Sequence, residues 1–396
     1  MAQIAILERK CTGCGQCQRN CPFGAIDMTG GKPELNAACK VCGICVKSCP
    51  EKAILKLETK VDSVDKSKWN DILVYAEVSG GRLHPVGLEL IGKARELAAH
   101  VPGFKVKAVL VGEGVSSYAE ELRHYGVSEI AVYDDPELGY YRADAYASCV
   151  EDYIRYAKPS VVLVGATALG RSLAPRLSTR FHTGLTADCT TLLLRENTDL
   201  VQIRPAFGGN IMAQIVTTNT RPQFATVRYK VMNPPVREEA AAGEILMRRI
   251  PKAVAQCVSS CVSVKPVPPR KSISDADVLV VGGRGLQKEA DLEMIKELAA
   301  LLGGDWAVTR PLVEKGWTTN ERQIGLSGRT VRPKLIITCG VSGAIQFTAC
   351  MNGSDHIVSI NTDKDAPIFA TAHVAIVGDL YEIVPALIGR LKEAQA

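Results

Sequence analysis

The sequence predicts an α/β protein with a small α+β head. Three observations carry this. A cysteine-rich unit occurs twice within the first 50 residues. From about residue 70, apolar strand-like runs alternate with helical spacing, as they do around a parallel sheet. A proline-rich stretch near residue 260 interrupts that alternation, which then resumes. The expected domains are 1–60, 70–255 and 273–396.

The chain has 396 residues, enough for two to four domains at roughly 100–200 residues each. A net charge of +5 is small for this length. It does not suggest a nucleic-acid partner, which usually comes with a concentrated basic stripe. The opening "MAQIAILERK" is too short and too soon charged for a signal peptide. No apolar run nears the roughly 18–20 residues that a membrane span needs. The expected location is cytoplasmic. Fourteen cysteines then point to metal or redox chemistry rather than to a disulfide framework.

Eight of the cysteines precede residue 50: Cys11, Cys14, Cys17 and Cys21, then Cys39, Cys42, Cys45 and Cys49. The second set follows the first at an offset of 28 residues, and Pro22/Pro50, Ala25/Ala53 and Ile26/Ile54 keep that offset. C-x2-C-x2-C-x3-C-P is the bacterial [4Fe–4S] pattern, in which the cysteine before proline ligates the other cluster. Cys11, Cys14, Cys17 and Cys49 are therefore expected around one cluster, and Cys39, Cys42, Cys45 and Cys21 around the other. Gly13, Gly15 and Gly43 let backbone amides approach the cluster sulfurs. The alternative is a pair of structural zinc sites. Zinc ribbons usually pair two C-x2-C knuckles across a longer gap, whereas here three ligands come consecutively, twice. Residues 1–60 hold nine Lys/Arg and five Asp/Glu. A basic rim could steer an acidic partner such as a free ferredoxin; a solvated mixed surface that offsets the anionic clusters is the alternative.

"ETKVDSVDKSKWN" reads as a linker. "DILVYAEVSGG" is a strand with a glycine turn, "PVGLELIGKARELAAHV" a helix and "KVKAVLVGEG" a second buried strand. "EIAVYDD" and "SVVLVGAT" continue the alternation into a Rossmann-like domain. From about Thr190 the texture becomes β-like and predicts a short antiparallel extension. "IPKAVAQCVSSCVSVKPVPPRKSI" is a second boundary, in which Cys257 and Cys261 are either ordinary thiols or a redox pair.

The last unit is again α/β. It lacks G-x-G-x-x-G, so a standard NAD-type site is not indicated. Polar residues nevertheless follow strand after strand. Arg284 follows "VLVVGG", Ser342, Gly343 and Ala344 open a helix after "LIITCG", Asn361 and Asp363 follow "IVSI", and Asp379 follows "VAIVG". A serine before a helix is often only an N-cap. Together these residues line one carboxyl edge, where a dinucleotide would lie.

"LIITCGVSGAIQFTACM", followed by "IVSINTDKDAPIF" and "VAIVGDLYEIVPAL", resembles the flavin signature of the electron-transfer flavoprotein (Etf) α subunit. "GGRGL", "TRPLVEKGW" and "QIGLSGRTV" fall in the family's order, and the resemblance covers roughly residues 70–390. It implies a C-terminal α/β FAD-binding domain. Arg284 would contact the pyrophosphate. Thr309 and Arg310 would lie near the flavin, and Ser327, in the stretch Ile324, Gly325, Leu326, Ser327, would offer its hydroxyl toward N5. Ser342, Gly343, Ala344, Ile345 and Gln346 would line the phosphates and ribityl chain. Asn361, Asp379 and Leu380 would flank the adenosine. Phe347 stands where many relatives have His, which removes a polar partner near the pyrimidine side.

The family works as an αβ heterodimer, so an Etf β subunit is implied. A fused two-cluster head resembles the α subunits of bifurcating caffeyl-CoA reductase–Etf and lactate dehydrogenase–Etf complexes. The resemblance implies an oxidoreductase subunit that couples NADH oxidation to reduction of an enoyl-CoA-type acceptor and of free ferredoxin. Its dehydrogenase partner would be a flavin-dependent acyl-CoA dehydrogenase or enoyl-CoA reductase, or a lactate dehydrogenase. A simple electron carrier is the alternative.

Overall fold

A computed structural model describes residues 2–58, 64–206, 211–265 and 272–395. The chain forms two compact units, Met1–Val64 and Asp65–Ala396.

The first unit shows the duplication in three dimensions. It runs β1 (Ala2–Ile6), α1 (Gln16–Arg19), β2 (Ile26–Thr29), β3 (Lys32–Leu35), α2 (Ile44–Ser48) and β4 (Ile54–Glu58). β1 pairs antiparallel with β4, and β2 with β3. Each short helix starts after a left-handed glycine, Gly15 (φ 69°) or Gly43 (φ 81°). The repeat holds even where glycine is lost. Gly13 (φ 72°) matches Val41 (φ 52°), and Gly24 (φ 57°) matches Lys52 (φ 48°). Positive φ is unfavourable for a β-branched residue, so the loop geometry around the cysteines overrides local preference. The core is small: Ile4, Cys17, Ile26, Cys45 and Ile54. That is too little apolar surface to hold so short a unit without a further staple.

The second unit holds two parallel sheets. The first sheet is built from β5 (Ile72–Tyr75), α3 (Pro85–Ala99), β6 (Val106–Gly112), α4 (Ser116–Leu122), β7 (Glu129–Asp134), α5 (Ala143–Ala157), β8 (Val161–Gly165) and α6 (Ala168–Arg180), then β9 (Leu185–Cys189). β5, β6 and β8 are almost wholly buried, as strands covered on both faces must be. The antiparallel extension is present as β10 (Thr191–Leu194), β11 (Leu200–Ala206) and β12 (Ile211–Val216). It ends sooner than the sequence texture suggests. The segment "QFATV" forms β13 (Gln223–Val227), which returns to the parallel sheet between β8 and β9. All five of its residues are buried, so its apolar face needs the covered sheet rather than the exposed extension. β14 (Glu244–Met247) adds a parallel edge beside β7. In the second boundary Lys252–Ala255 form one helical turn, and residues 266–271 fall outside the described residues. Cys257 and Cys261 are separate free thiols.

The second sheet comprises β15 (Val278–Gly282), α7 (Leu292–Leu301), β16 (Asp305–Thr309), β17 (Gln323–Ile324), β18 (Leu335–Cys339), β19 (His356–Asn361), β20 (Val374–Val377) and the closing helix α8 (Leu380–Gln395). Its order is β17-β16-β15-β18-β19-β20, all parallel. The order reverses between β15 and β18, and ligands of open α/β sheets bind at such a switch point. Among the described residues no helix is long and apolar enough to cross a membrane.

Candidate functional site

Two hollows open among the cysteines of the head. One is lined by Cys11, Cys14, Cys17 and Cys49. The other is lined by Cys21, Cys39, Cys42 and Cys45. Each takes three consecutive cysteines from one repeat and the proline-preceding cysteine from the other. Among the described residues no three Cys, His, Asp or Glu side chains close on a point that a single ion could fill. The thiols ring a space instead, as a four-cornered iron–sulfur cube requires.

Backbone amides face the sulfurs in the same duplicated way. Ala25 N–H donates to Cys21 Sγ, and Ala53 N–H to Cys49 Sγ, both at 3.3 Å. Gly13 N–H donates to Cys11 Sγ at 3.4 Å. Such bonds favour charged sulfur and help to set a cluster's potential. Burial pushes the Cys17 and Cys45 thiols up. Their thiolate form is therefore one that a bound metal centre must stabilise. A Cβ at Gly13 would stand 2.5 Å from the Gly31 carbonyl oxygen, so the ligand loop lies directly on the β2–β3 turn.

At the second sheet, the loops after β15 and β18 meet glycine on glycine. A Cβ on Gly283 would lie 2.3 Å from Gly340 O, and one on Gly340 would lie 2.8 Å from Gly285 Cα. Gly283 and Gly285 N–H donate to Cys339 and Gly340 O, both at 2.9 Å. Among the described residues the N–H groups of Ser342, Gly343 and Ala344 have no acceptor. Three free amides beside a glycine cradle, with Arg284 exposed above it, suit a pyrophosphate. The helix they open is only Ile345–Thr348, so the amides themselves, rather than a long helix dipole, supply the attraction.

The expected flavin residues divide into groups. Ser327 is exposed at the sheet edge, and its Oγ accepts from Gln323 Nε2 at 2.7 Å. Thr309 is buried at the end of β16. Arg310 is exposed and paired with Glu314 at 2.8 Å. Asn361 Nδ2 donates to Val341 O at 2.9 Å, so it shapes the loop after β18. Asp379 accepts from Tyr381 N–H at 2.9 Å and caps the closing helix. Ile324, Phe347 and Leu380 turn their side chains into apolar cores rather than toward the edge. Phe347 in particular belongs to the core that also holds Val331, Met351 and Ile368.

Three supporting residues stand outside the expected set. Gln323 orients Ser327. Tyr381 holds the β15 loop, accepting from Gln287 N–H at 2.8 Å and donating to Asp291 at 2.5 Å. Arg228, just past β13, donates to Asp188 at 2.7 Å and to Leu326 O at 2.8 Å, which ties the first sheet to the loop carrying Ser327. Although burial opposes it, the Arg228 guanidinium holds the Asp188 carboxyl below its usual range. The paired glycine clusters "GGRG" and "CGVSG" are the available signal for the cradle. Nothing local marks Arg228.

Comparison with known proteins places three family domains along the chain. The electron transfer flavoprotein domain matches residues 72–251, the electron transfer flavoprotein FAD-binding domain 272–352, and a 4Fe-4S dicluster domain 10–54. Lactate dehydrogenase (NAD(+),ferredoxin) subunit LctC of Acetobacterium woodii is 52% identical over 93% of this chain and 88% of its own. The chain belongs to the electron-transfer flavoprotein α-subunit family. The electron transfer flavoprotein subunit alpha of Thermoanaerobacterium thermosaccharolyticum is 42% identical over 82% of this chain and 98% of its own. Protein FixB of Azorhizobium caulinodans is 42% identical over 81% and 88%. This Etf α chain is thus an electron-transfer subunit with an FAD-binding domain and a dicluster head, and its cofactors are FAD and two [4Fe–4S] clusters.

Proposed function

We propose that this chain is the FAD- and iron–sulfur-carrying subunit of a flavin-based electron-bifurcating complex. It works with an Etf β subunit and a flavin-dependent dehydrogenase in a reducing cytoplasm. Two NADH each supply an electron pair; one electron of each pair goes to the dehydrogenase's two-electron acceptor and the other to ferredoxin. When bound, FAD and the clusters supply the redox chemistry. This chain's residues hold and tune them. Cys11, Cys14, Cys17 and Cys49 hold one cluster, and Cys39, Cys42, Cys45 and Cys21 the other. The Ser342–Ala344 amides and Arg284 take the pyrophosphate, and Ser327 faces the flavin ring.

The observation that carries this reading is the union, in one chain, of two four-cysteine hollows with a glycine-cradled strand edge. The likeness to LctC, a subunit of a lactate dehydrogenase linked to NAD and ferredoxin, favours the lactate/pyruvate pair over an enoyl-CoA-type acceptor. The test uses the anaerobic complex of this chain with its β subunit and dehydrogenase. NADH should reduce ferredoxin only when pyruvate is present. Reduction without pyruvate, or none with it, would overturn bifurcation with this acceptor. Crotonyl-CoA replacing pyruvate would restore the enoyl-CoA reading.

A further inference from the structure

The two hollows are built from one repeated unit, so positions 28 residues apart do the same structural work. At three exposed positions lining them, the repeats part company. Gln16 beside the first hollow is matched by Ile44 beside the second, Glu51 by Phe23, and Thr12 by Lys40. At these three positions the first hollow presents polar and acidic side chains and the second apolar ones and a cation, while Arg19 and Lys32 donate to the Cys14 and Cys11 carbonyls beside the first. Phe23 and Ile44 are 46% and 41% exposed. The fold does not need them apolar, because the equivalent places in the other half are filled by glutamate and glutamine. Cys14 and Cys42, again equivalent, are both exposed. Access is therefore similar on the two sides, and the difference lies in what each side recognises. Cations flank both ligand glycines, Arg19 Nη1 lying 3.5 Å from where a Gly15 Cβ would be and Lys56 Cδ 3.8 Å from where a Gly43 Cβ would be, so the contrast rests on the three exchanged positions.

We propose that the face formed by Phe23, Ile44 and Lys40 docks a small acidic one-electron carrier protein of the ferredoxin class. Electrons then pass through the cluster held by Cys21, Cys39, Cys42 and Cys45. This rests on the cluster assignment made under the proposed function. A compact apolar centre with a basic rim matches a transient electron-transfer contact: the apolar pair excludes water, and the cations select and steer an acidic surface. In the step, one electron leaves the reduced cluster and enters the oxidised carrier; no bond forms or breaks.

The experiment exchanges side chains between the repeats in the full holo-complex. Phe23→Glu with Ile44→Gln installs what the other half already tolerates, so the head should fold and keep its iron. With a purified acidic bacterial ferredoxin, KM for the carrier should rise about tenfold, with kcat and iron content unchanged. Lys40→Glu should raise KM and flatten its dependence on salt. Glu51→Gln with Gln16→Ala should change KM less than about twofold. An unchanged KM in the Phe23/Ile44 variant, or a larger effect from the Gln16/Glu51 pair, would overturn the assignment. Absence of iron from the wild-type head would instead defeat the underlying cluster reading, and this proposal with it. Iron present with no carrier reduction by the wild type would defeat the docking proposal alone.

Discussion

The side-chain amide of Gln323 donates to the hydroxyl of Ser327 across 2.7 Å, from a position that is itself almost wholly buried. With its oxygen already accepting, the Ser327 hydroxyl is oriented to donate outward from the sheet edge. A donor at the flavin ring favours the electron-rich reduced form. Gln323→Leu should therefore lower the flavin midpoint potential in the same direction as Ser327→Ala. The double variant should add little to either. Anaerobic redox titration of the three variants checks this; additive shifts would separate the two residues.

The crossed cysteine sets make a prediction that iron analysis can decide. Cys11 and Cys49 line one hollow although they belong to different repeats. A Cys11→Ser/Cys49→Ser double variant should lose one cluster and retain about four irons. Cys11→Ser/Cys21→Ser removes two cysteines of one repeat and should damage both clusters. If the second pair spares a cluster and the first does not, each repeat keeps its own.

Gly283 has no room for a methyl group, since its Cβ would stand 2.3 Å from the Gly340 backbone oxygen. Gly283→Ala must push the β15 and β18 loops apart. The expected cost is about 1–3 kcal/mol, the usual range for overpacking. FAD per purified chain should fall together with the thermal midpoint. Gly389→Ala, where nothing crowds the added methyl, is the control.

Glu89 on α3 accepts from the Lys230 N–H at 2.9 and 3.1 Å, and burial pushes its carboxyl up from 4.5 to about 7. The folded chain therefore keeps a proton that the unfolded chain releases. Stability falls as pH rises from about 4.5 to 7 and levels off above, a loss on the order of 3 kcal/mol. Glu89→Gln should remove most of that slope. Urea unfolding near pH 5 and pH 8 measures it; wild-type and variant curves that stay parallel would rule this out.

Features set by local spacing are legible in the amino-acid sequence alone. The offset of 28 residues between cysteine sets identifies the duplication, because both ligand triplets lie within short stretches. The alternation of "VVLVG" and "LIITC" with helical runs gives the parallel sheets for the same reason. Partners distant in sequence are not legible in this way. β13 looks like the end of an antiparallel meander, and only its total burial explains why it re-enters the sheet between β8 and β9. Phe347 reads as a flavin neighbour from its place in the motif, yet its side chain completes a core. Gln323 acts through one bond to a residue four positions along the chain, and Arg228 through bonds to residues 40 and 98 positions away; neither leaves a periodic trace. Val41 and Lys52 are half legible, since the repeat places them opposite glycines, but their own side chains argue against the backbone they adopt.

Arg228 carries one more consequence. Among the described residues, two of its nitrogens, Nε and Nη1, are buried with no hydrogen-bond partner, while the third holds Asp188 and the carbonyl next to Ser327. A movement that parted the two sheets would break the Leu326 bond and, in the same act, give those two nitrogens water. Rehydration of a guanidinium offsets much of what the lost bond contributed. The contact is thus a catch with a light release: firm enough to set the orientation of the loop that carries Ser327, yet not a deep energetic well that would lock it there.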